Sequence, residues 1–297
     1  MRQAAFIGSG NMGGALIRAA CRAIGPDQVI IADHQAEKAA ALAAELGCAA
    51  AADNAAAVEG AEVIFLCVKP QVLSGVAAAL VPVLNACHGR GEDKTLVSIA
   101  AGVEIAALRG FLKDISWDIP ILRVMPNTCA AIGKGMLALT DGGAGNEAGL
   151  AAVEAILADA GRVERISEGL MDQFTAVAGC GPAYVYQFIE ALADGGVMAG
   201  LPRAQAQTYA AQTLLGAAAM VLETGKHPGQ LKDEVCSPGG STIVGVAALE
   251  EHGFRSAAIQ AVMAAFGKNK DRGKKAEKKP AGTGIAGPGG LLSVFGQ

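Results

Sequence analysis

FIGSGNMGG, residues 6–14, sets Gly8, Gly10 and Gly13 in the spacing G-x-G-x-x-G. The stretch QAAFIG (3–8) leading into it is a short apolar run of strand type, and the residues that follow read as a helix. Asp33 closes a second apolar run, QVIIAD (28–33), 20 residues after Gly13. Glycines in such a turn let the backbone bend sharply and approach a pyrophosphate, and the helix that opens there offers unpaired N–H groups to it. A bare G-x-G-x-x-G could be no more than a tight turn. Strand, helix and acidic residue together are the arrangement of a dinucleotide-binding α/β fold. At its position Asp33 is expected to receive a ribose 2'-hydroxyl and to repel a 2'-phosphate, which leans towards NADH, with His34 blunting that preference.

Outward from this turn, the alternation continues. AEVIFLCV (61–68), KTLVSIA (94–100) and IPILRVM (119–125) are further strand candidates, separated by Ala-rich helical stretches such as 35–47 and 71–87. That rhythm specifies a mainly parallel sheet with helices on both faces, a Rossmann domain over residues 1–165. From about Glu168 no strand of similar strength is expected. Long helical patterns take over at 182–200, 202–224 and 239–253, punctuated by GLP (200–202) and KHPG (226–229). They define an all-α second domain over 166–267. Residues 268–297 open with seven basic and two acidic side chains between Lys268 and Lys279, then turn Gly/Pro/Ala-rich, and are expected to form a mobile tail.

Composition removes several classes of function. The chain of 297 residues is 52% hydrophobic but only 4% aromatic, a mix that favours closely packed helices and tight turns. A formal net charge of -4 gives no general footprint for nucleic acid or acidic membranes. Seven cysteines are scattered without a C-x-x-C pair, so neither a zinc site nor a disulfide framework is indicated and a reducing cytoplasm fits best. The first 25 residues have a mild signal-peptide look, but the glycine turn interrupts them where an apolar core should continue. The longest uncharged stretch, 204–222, holds three Gln and two Thr and reads as a buried core helix rather than a membrane span.

Three short elements follow strand candidates, where an open α/β sheet builds its crevice: CVKP (67–70), IAAG (99–102) and MPNT (125–128). Lys69 invites a catalytic reading as proton donor or Schiff-base amine, against a plainer one as a cation near the cofactor. In the helical half, GCGPAY (179–184) breaks one helix and starts another. SPGGST (237–242) reads as a helix start with Ser237 as N-cap, Pro238 in the first helical position, and Gly239 and Gly240 as a bare first turn. Ser241 and Thr242 add two hydroxyls. A simple capped helix would not need the glycine pair, which weakens a helix, so the run reads as an anion site of neutral donors.

Taken in order, FIGSGNMGG, VKP, VSIAAGV, RVMPNT, GCGPAYVY, ALADGGVMAGLPR, HPGQLKDEV and SPGGSTI resemble the pyrroline-5-carboxylate reductases. The resemblance runs to about Phe266. It implies a Rossmann domain followed by helices that interlock two copies into a homodimer, often assembled further, and reduction of a cyclic imine to proline with NADPH or NADH. Carried over, the cofactor would touch Gly8, Ser9, Gly10, Asn11, Met12, Gly13, His34, Asn54, Val68, Lys69, Pro70, Ile99, Ala100 and Ala101. The substrate carboxylate would meet Ser241 and Thr242 within the Ser237, Gly239, Gly240 turn, with Glu168 near the ring nitrogen. A protonated imine is already an electrophile, so the protein need supply no nucleophile and no metal; the imine proton would come from solvent or from Thr242, the catalytic candidate. Three positions depart from the family pattern: Cys180 and Cys236 stand where Ser is usual, and Cys129 where Pro is usual. Two rivals remain. A reductase of the β-hydroxyacid dehydrogenase type would need a Lys on the first long helix of the second domain, and 182–196 has none. A non-catalytic nucleotide-binding protein would have no use for the SPGGST turn.

Overall fold

β1 (Arg2–Ile7) sends Ala4 and Phe6 to one face and Ala5 and Ile7 to the other, and all four are buried, as in a strand covered on both sides. The structure, a computed structural model, describes residues 1–277. After the glycine turn come α1 (Asn11–Ile24), β2 (Val29–Ala32), α2 (Ala36–Leu46), β3 (Ala49–Ala50), α3 (Asn54–Gly60), β4 (Ala61–Leu66) and α4 (Pro70–Gly89). β5 (Thr95–Ser98), α5 (Ile105–Phe111), β6 (Ile121–Met125), β7 (Gly135–Thr140), α6 (Glu147–Ile156) and β8 (Gly161–Arg165) complete the first domain.

The strands form one sheet in the order β3-β2-β1-β4-β5-β6-β7-β8. All neighbours are parallel except β6 and β7, where Val124 pairs with Leu139 antiparallel. One core layer lies beneath α1, α2 and α6, built from Phe6, Leu16, Ile31, Phe65, Leu122 and Val153. The opposite layer joins Ile7, Ile64 and Leu96 to Leu73, Leu80 and Leu84 of α4 and Leu108 of α5. Phe6 and Phe65 stack across the β1–β4 pair at 4.5 Å, each burial contributing roughly 1.5–3 kcal/mol. α4 is long and apolar enough to cross a membrane, yet its Leu73, Ala77, Leu80 and Leu84 are spent on the sheet. The stretch with the signal-peptide look is likewise β1 and α1, both in the core.

The five strand candidates all form. Three strands were not legible: β3 has two residues, β7 (GMLALT) lacks β-branched residues until its final Thr140, and β8 (GRVER) is a polar edge strand. Among the described residues no strand follows Arg165. The helical part comprises α7 (Met171–Phe174), a π-helical segment at Thr175–Gly179, α8 (Gly181–Met198), α9 (Arg203–Thr224), α10 (Pro228–Val235), α11 (Ser241–Glu251) and α12 (Phe254–Glu277).

Two expectations need correction here. The 204–222 helix is not buried within the chain: only Ala206 and Ala210 of α9 are, while Tyr209, Leu215 and Leu222 are exposed. Its small core with α8 is centred on Ala193, Ala206 and Ala210, and among the described residues nothing covers the rest of its apolar surface. The boundary at 267 is also too early. α12 runs through to Glu277, because the Lys, Arg, Glu and Ala of its basic stretch are good helix formers even without an apolar face. The rest of the expected tail, 278–297, lies outside the described residues. α12 packs back on the start of the helical domain: Phe254 lies against Phe188 of α8 at 5.1 Å, and the Tyr184 hydroxyl donates to the Ala261 carbonyl.

Candidate active site

The strand order reverses between β1 and β4, and the crevice opens at their carboxyl ends. There Gly8 adopts φ +105 and its N–H donates to Ala32 O at 2.7 Å. A Cβ on Gly8 would sit 2.6 Å from Cys67 O, and one on Gly13 would sit 2.2 Å from Gly8 O. Both positions are therefore closed to any side chain. Gly10 is the opposite case, with nothing within 4 Å of where its Cβ would be, and it caps α1 with no side-chain hydrogen bond. The first N–H groups of this 14-residue helix thus face open space over a bare backbone, which fits a dinucleotide pyrophosphate. Asn11 and Met12 are the first residues of α1.

Asp33, by contrast, is turned inward. Its Oδ2 accepts from the Ser9 N–H at 2.7 Å and the Ser9 hydroxyl at 2.8 Å, and its Oδ1 accepts from the Gln35 N–H at 3.0 Å. The side chain is only 4% exposed. Burial pushes its pKa up, but the Gln35 and Ser9 hydrogen bonds, with His34 alongside, outweigh that and hold it below the ordinary carboxylate value. Both oxygens are thus committed to the glycine loop and the turn after β2. His34 is the outward group, its Nδ1 2.9 Å from Asp33 Oδ1 and its side chain 84% exposed.

The remaining cofactor candidates line the same edge. Val68, Lys69 and Pro70 follow β4, with Lys69 capping α4 and Pro70 in its first turn. Ile99, Ala100 and Ala101 follow β5, where the Ala100 N–H donates to Ser98 Oγ at 3.2 Å. Asn54 opens α3, capped by Asp53. Burial pushes the Cys67 thiol far up, so it offers no thiolate to the crevice. All seven cysteines are free, and no cluster of metal-ligating side chains occurs among the described residues.

On the helical side, SPGGST differs locally from expectation. Ser237 is not the N-cap. Ser237–Gly240 forms a turn closed by the Gly240 N–H to Ser237 O at 3.0 Å, with Gly239 at φ +67. Pro then a positive-φ Gly is the pattern of a type II turn, which ends the chain's run before a helix can begin. Gly240 caps α11, without a side-chain hydrogen bond, and Ser241 and Thr242 are its first two residues. Among the described residues neither hydroxyl has a hydrogen-bond partner, and both side chains are exposed.

Glu168 is placed elsewhere. Its Oε1 accepts from the Ile105 N–H at 2.8 Å and lies 3.3 Å from the guanidinium of Arg123, whose side chain is 4% exposed. The two line a cavity of about 50 Å³ with Gly102, Glu104, Gly169, Met171 and Asp172, and none of residues 237–242 reaches it. One residue was missed by sequence reasoning. Asn127, in MPNT, is buried and donates to the Ala178 carbonyl in the π-helical segment, joining the end of β6 to the helical domain. Pro182, four residues after Ala178, was the available signal, since it deprives that carbonyl of its helical donor.

Comparisons with known proteins agree with the fold and give the family. A family model described as pyrroline-5-carboxylate reductase dimerisation matches residues 168–272, and one described as NADP oxidoreductase, coenzyme F420-dependent, matches residues 3–102. The chain is 43% identical to a pyrroline-5-carboxylate reductase of Synechocystis sp. over 92% of its length and 99% of the relative's. It is 42% identical to that of Escherichia coli, covering 86% of this chain and 93% of that one. Among solved structures, the Plasmodium falciparum pyrroline carboxylate reductase with NADP bound superposes at a TM-score of 0.78 with 31% identity, covering 92% of this chain and 98% of that one. The Coxiella burnetii enzyme gives a TM-score of 0.82 with 28% identity over 91% and 98%. With such identity sustained over nearly its whole length, this chain belongs to the pyrroline-5-carboxylate reductase family, the NAD(P)H-dependent oxidoreductases of the last step of proline biosynthesis.

Proposed function

We propose that the reaction takes place in a cleft with one wall from the Rossmann crevice and the other from the start of α11, the latter supplied by a second copy of the chain. The observation that carries this reading is the turn at 237–242: an exposed helix start with a bare glycine cap and two hydroxyls that nothing among the described residues uses. Bound along Gly8–Gly13 and the loops at 68–70 and 99–101, NAD(P)H supplies the hydride. The residues of this chain then have three tasks. The N–H groups at the start of α1 neutralise the pyrophosphate. Lys69, exposed at the crevice edge, adds a positive charge near the same ligand.

The N–H groups at the start of α11, with Ser241 and Thr242, grip the carboxylate of the cyclic imine through neutral donors. Neutrality matters because a Lys or Arg would bind that carboxylate but oppose the adjacent iminium charge. Held by one end, the ring presents its C=N carbon at a fixed distance from the crevice, and orientation of this kind is the main contribution the protein has to make. Thr242, or solvent, would supply the imine proton. Glu168 acts through Arg123 and the start of α5 rather than on the ring.

Self-association follows from the dimerisation domain. The open groove along α9, lined by Ala204, Gln207, Thr208, Ala211, Gln212 and Leu215, would seat a helix of the partner in a homodimer. Cytoplasmic residence, with no nucleic-acid or membrane partner, accords with the seven free thiols and the net charge of -4. The test is oxidation of NADPH and of NADH by purified protein with pyrroline-5-carboxylate, combined with sedimentation of the active species. Turnover by a strict monomer would refute the shared cleft.

A further inference from the structure

Helix α8 carries Pro182 in its first turn, and the carbonyl this leaves without a donor is not satisfied by helix. In a regular helix Ala178 O would accept from residue 182, but Pro182 has no N–H. A π-helical bond would come from Ala183, whose N–H instead donates to Cys180 O at 3.1 Å. The donor that takes the Ala178 carbonyl is Nδ2 of Asn127, at 2.9 Å, reaching across from the end of β6. On its other side Asn127 Oδ1 accepts from the N–H of Cys129 at 3.2 Å and of Met136 at 3.4 Å. These bonds fix the amide orientation, since a flip would face oxygen to oxygen and amine to two N–H groups. Asn127 is only 7% exposed. A second contact lies beside it: a Cβ on Gly179 would come within 3.3 Å of Met125 Cε, so the last residue of β6 and the last π-helical residue are close-packed as well.

We infer that Asn127 is a positioning residue for imine reduction: through the Ala178 carbonyl it sets the first turn of α8 against the crevice edge after β6. The inference rests on the cleft reading above, in which the crevice and the helical domain each hold one reactant. The chain runs from the Rossmann domain through α7 and the π-helical segment into α8, the first long helix of the helical domain. A shift of the long helices against the sheet would be transmitted along this segment of chain, and π-helical segments inside α-helices recur at functional sites. A rigid tie there holds hydride donor and acceptor at a reactive separation, and a displacement of about 1 Å is enough to lose on the order of a hundredfold in rate.

Asn127→Asp keeps the acceptor for Cys129 and Met136 and replaces only the donor to Ala178 by an oxygen. Asn127→Ala removes both sides. Each is measured for kcat and KM with pyrroline-5-carboxylate, for NADPH affinity by fluorescence titration, and for Tm. The expected result is a kcat lowered about ten- to a hundredfold, with KM and NADPH affinity within about threefold of the parent. A background carrying Pro182→Ala separates positioning from mere satisfaction of a carbonyl, because that substitution returns a helical N–H to Ala178 O without restoring the tie to β6. In that background Asn127→Ala should regain Tm but not kcat. Recovery of kcat together with Tm, or an Asn127→Asp enzyme within twofold of the parent, overturns the inference. If instead Asn127 behaves as expected while Thr242→Ala leaves kcat/KM unchanged, the positioning role stands and the carboxylate site at 237–242 is wrong.

Discussion

Replacing Asp33 by Asn removes a charge with almost no change of volume, and so reports what the carboxylate holds. Three donors converge on it, the Ser9 N–H, the Ser9 hydroxyl and the Gln35 N–H. The hydroxyl can rotate away, but the two N–H groups are fixed by backbone on opposite oxygens. An Asn can accept only one of them and turns its own NH₂ towards the other. The loss is one hydrogen bond to a charged group, about 1.5–3 kcal/mol, and one N–H left facing the new NH₂, about 1–3 kcal/mol. Together these give a destabilisation of roughly 3–5 kcal/mol and a Tm lower by on the order of 10 °C. NADPH and NADH should both bind more weakly, because the glycine loop loses its anchor. The ratio of kcat/KM for the two cofactors should stay within about threefold, since both oxygens of the altered group are already held by Ser9 and Gln35. The assay is thermal unfolding by circular dichroism alongside steady-state kinetics with each cofactor. A ratio shifted tenfold or more towards NADPH, about 1.4 kcal/mol, with Tm unchanged, would refute this and return Asp33 to the ribose-binding role expected from sequence alone. The pH dependence has a definite sign. Because the folded pKa of Asp33 is depressed, its stabilisation is present above the unfolded value of about 3.9 and is lost as pH falls from there through the lower folded value. The Asp33→Asn enzyme should therefore lose less stability than the parent over that acid range.

Thr242→Ala should lower kcat/KM roughly ten- to a thousandfold while NADPH affinity is held, Ser241→Ala should mainly raise KM, and Thr242→Ser should retain most activity; full activity of folded Thr242→Ala would remove the hydroxyl from the site. Gly13→Ala, whose Cβ would lie 2.2 Å from Gly8 O, should weaken NADPH binding by about ten- to a hundredfold in fluorescence titration, and unaltered affinity would mean the loop can yield. Glu168→Ala leaves the guanidinium of Arg123 buried without its carboxylate and should cost about 2–3 kcal/mol in urea unfolding, somewhat less than a fully buried pair because Glu168 is 22% exposed. Combining it with Arg123→Met should recover most of that loss, and a fully additive double variant would show that the pair is not coupled.

Much of the fold was legible because the decisive signals are local. The glycine spacing marks a positive-φ turn at Gly8 and, at Gly13, a backbone approach too close for any Cβ, and the apolar runs at 28–33, 61–68, 94–100 and 119–125 are buried on both faces, so they need no partner to be recognised. The change from alternating strands to long helices near residue 165 was likewise written in the period of the apolar residues. What the sequence could not decide was every feature that depends on which surface meets which. β8 is a strand because β7 lies beside it, not because Gly161–Arg165 favours one. Tyr209, Leu215 and Leu222 read as core, yet no described residue covers them. Asp33 stands at the ribose position in sequence, but the direction of its carboxylate was settled by Ser9, 24 residues away. Asn127 gained its role only when folding brought it to a carbonyl that Pro182 had left without a donor. Backbone conformation and apolar periodicity are properties of neighbouring residues and survive in the one-dimensional string; hydrogen-bond satisfaction and burial are properties of pairs distant along the chain, and only the packed structure assigns the partners.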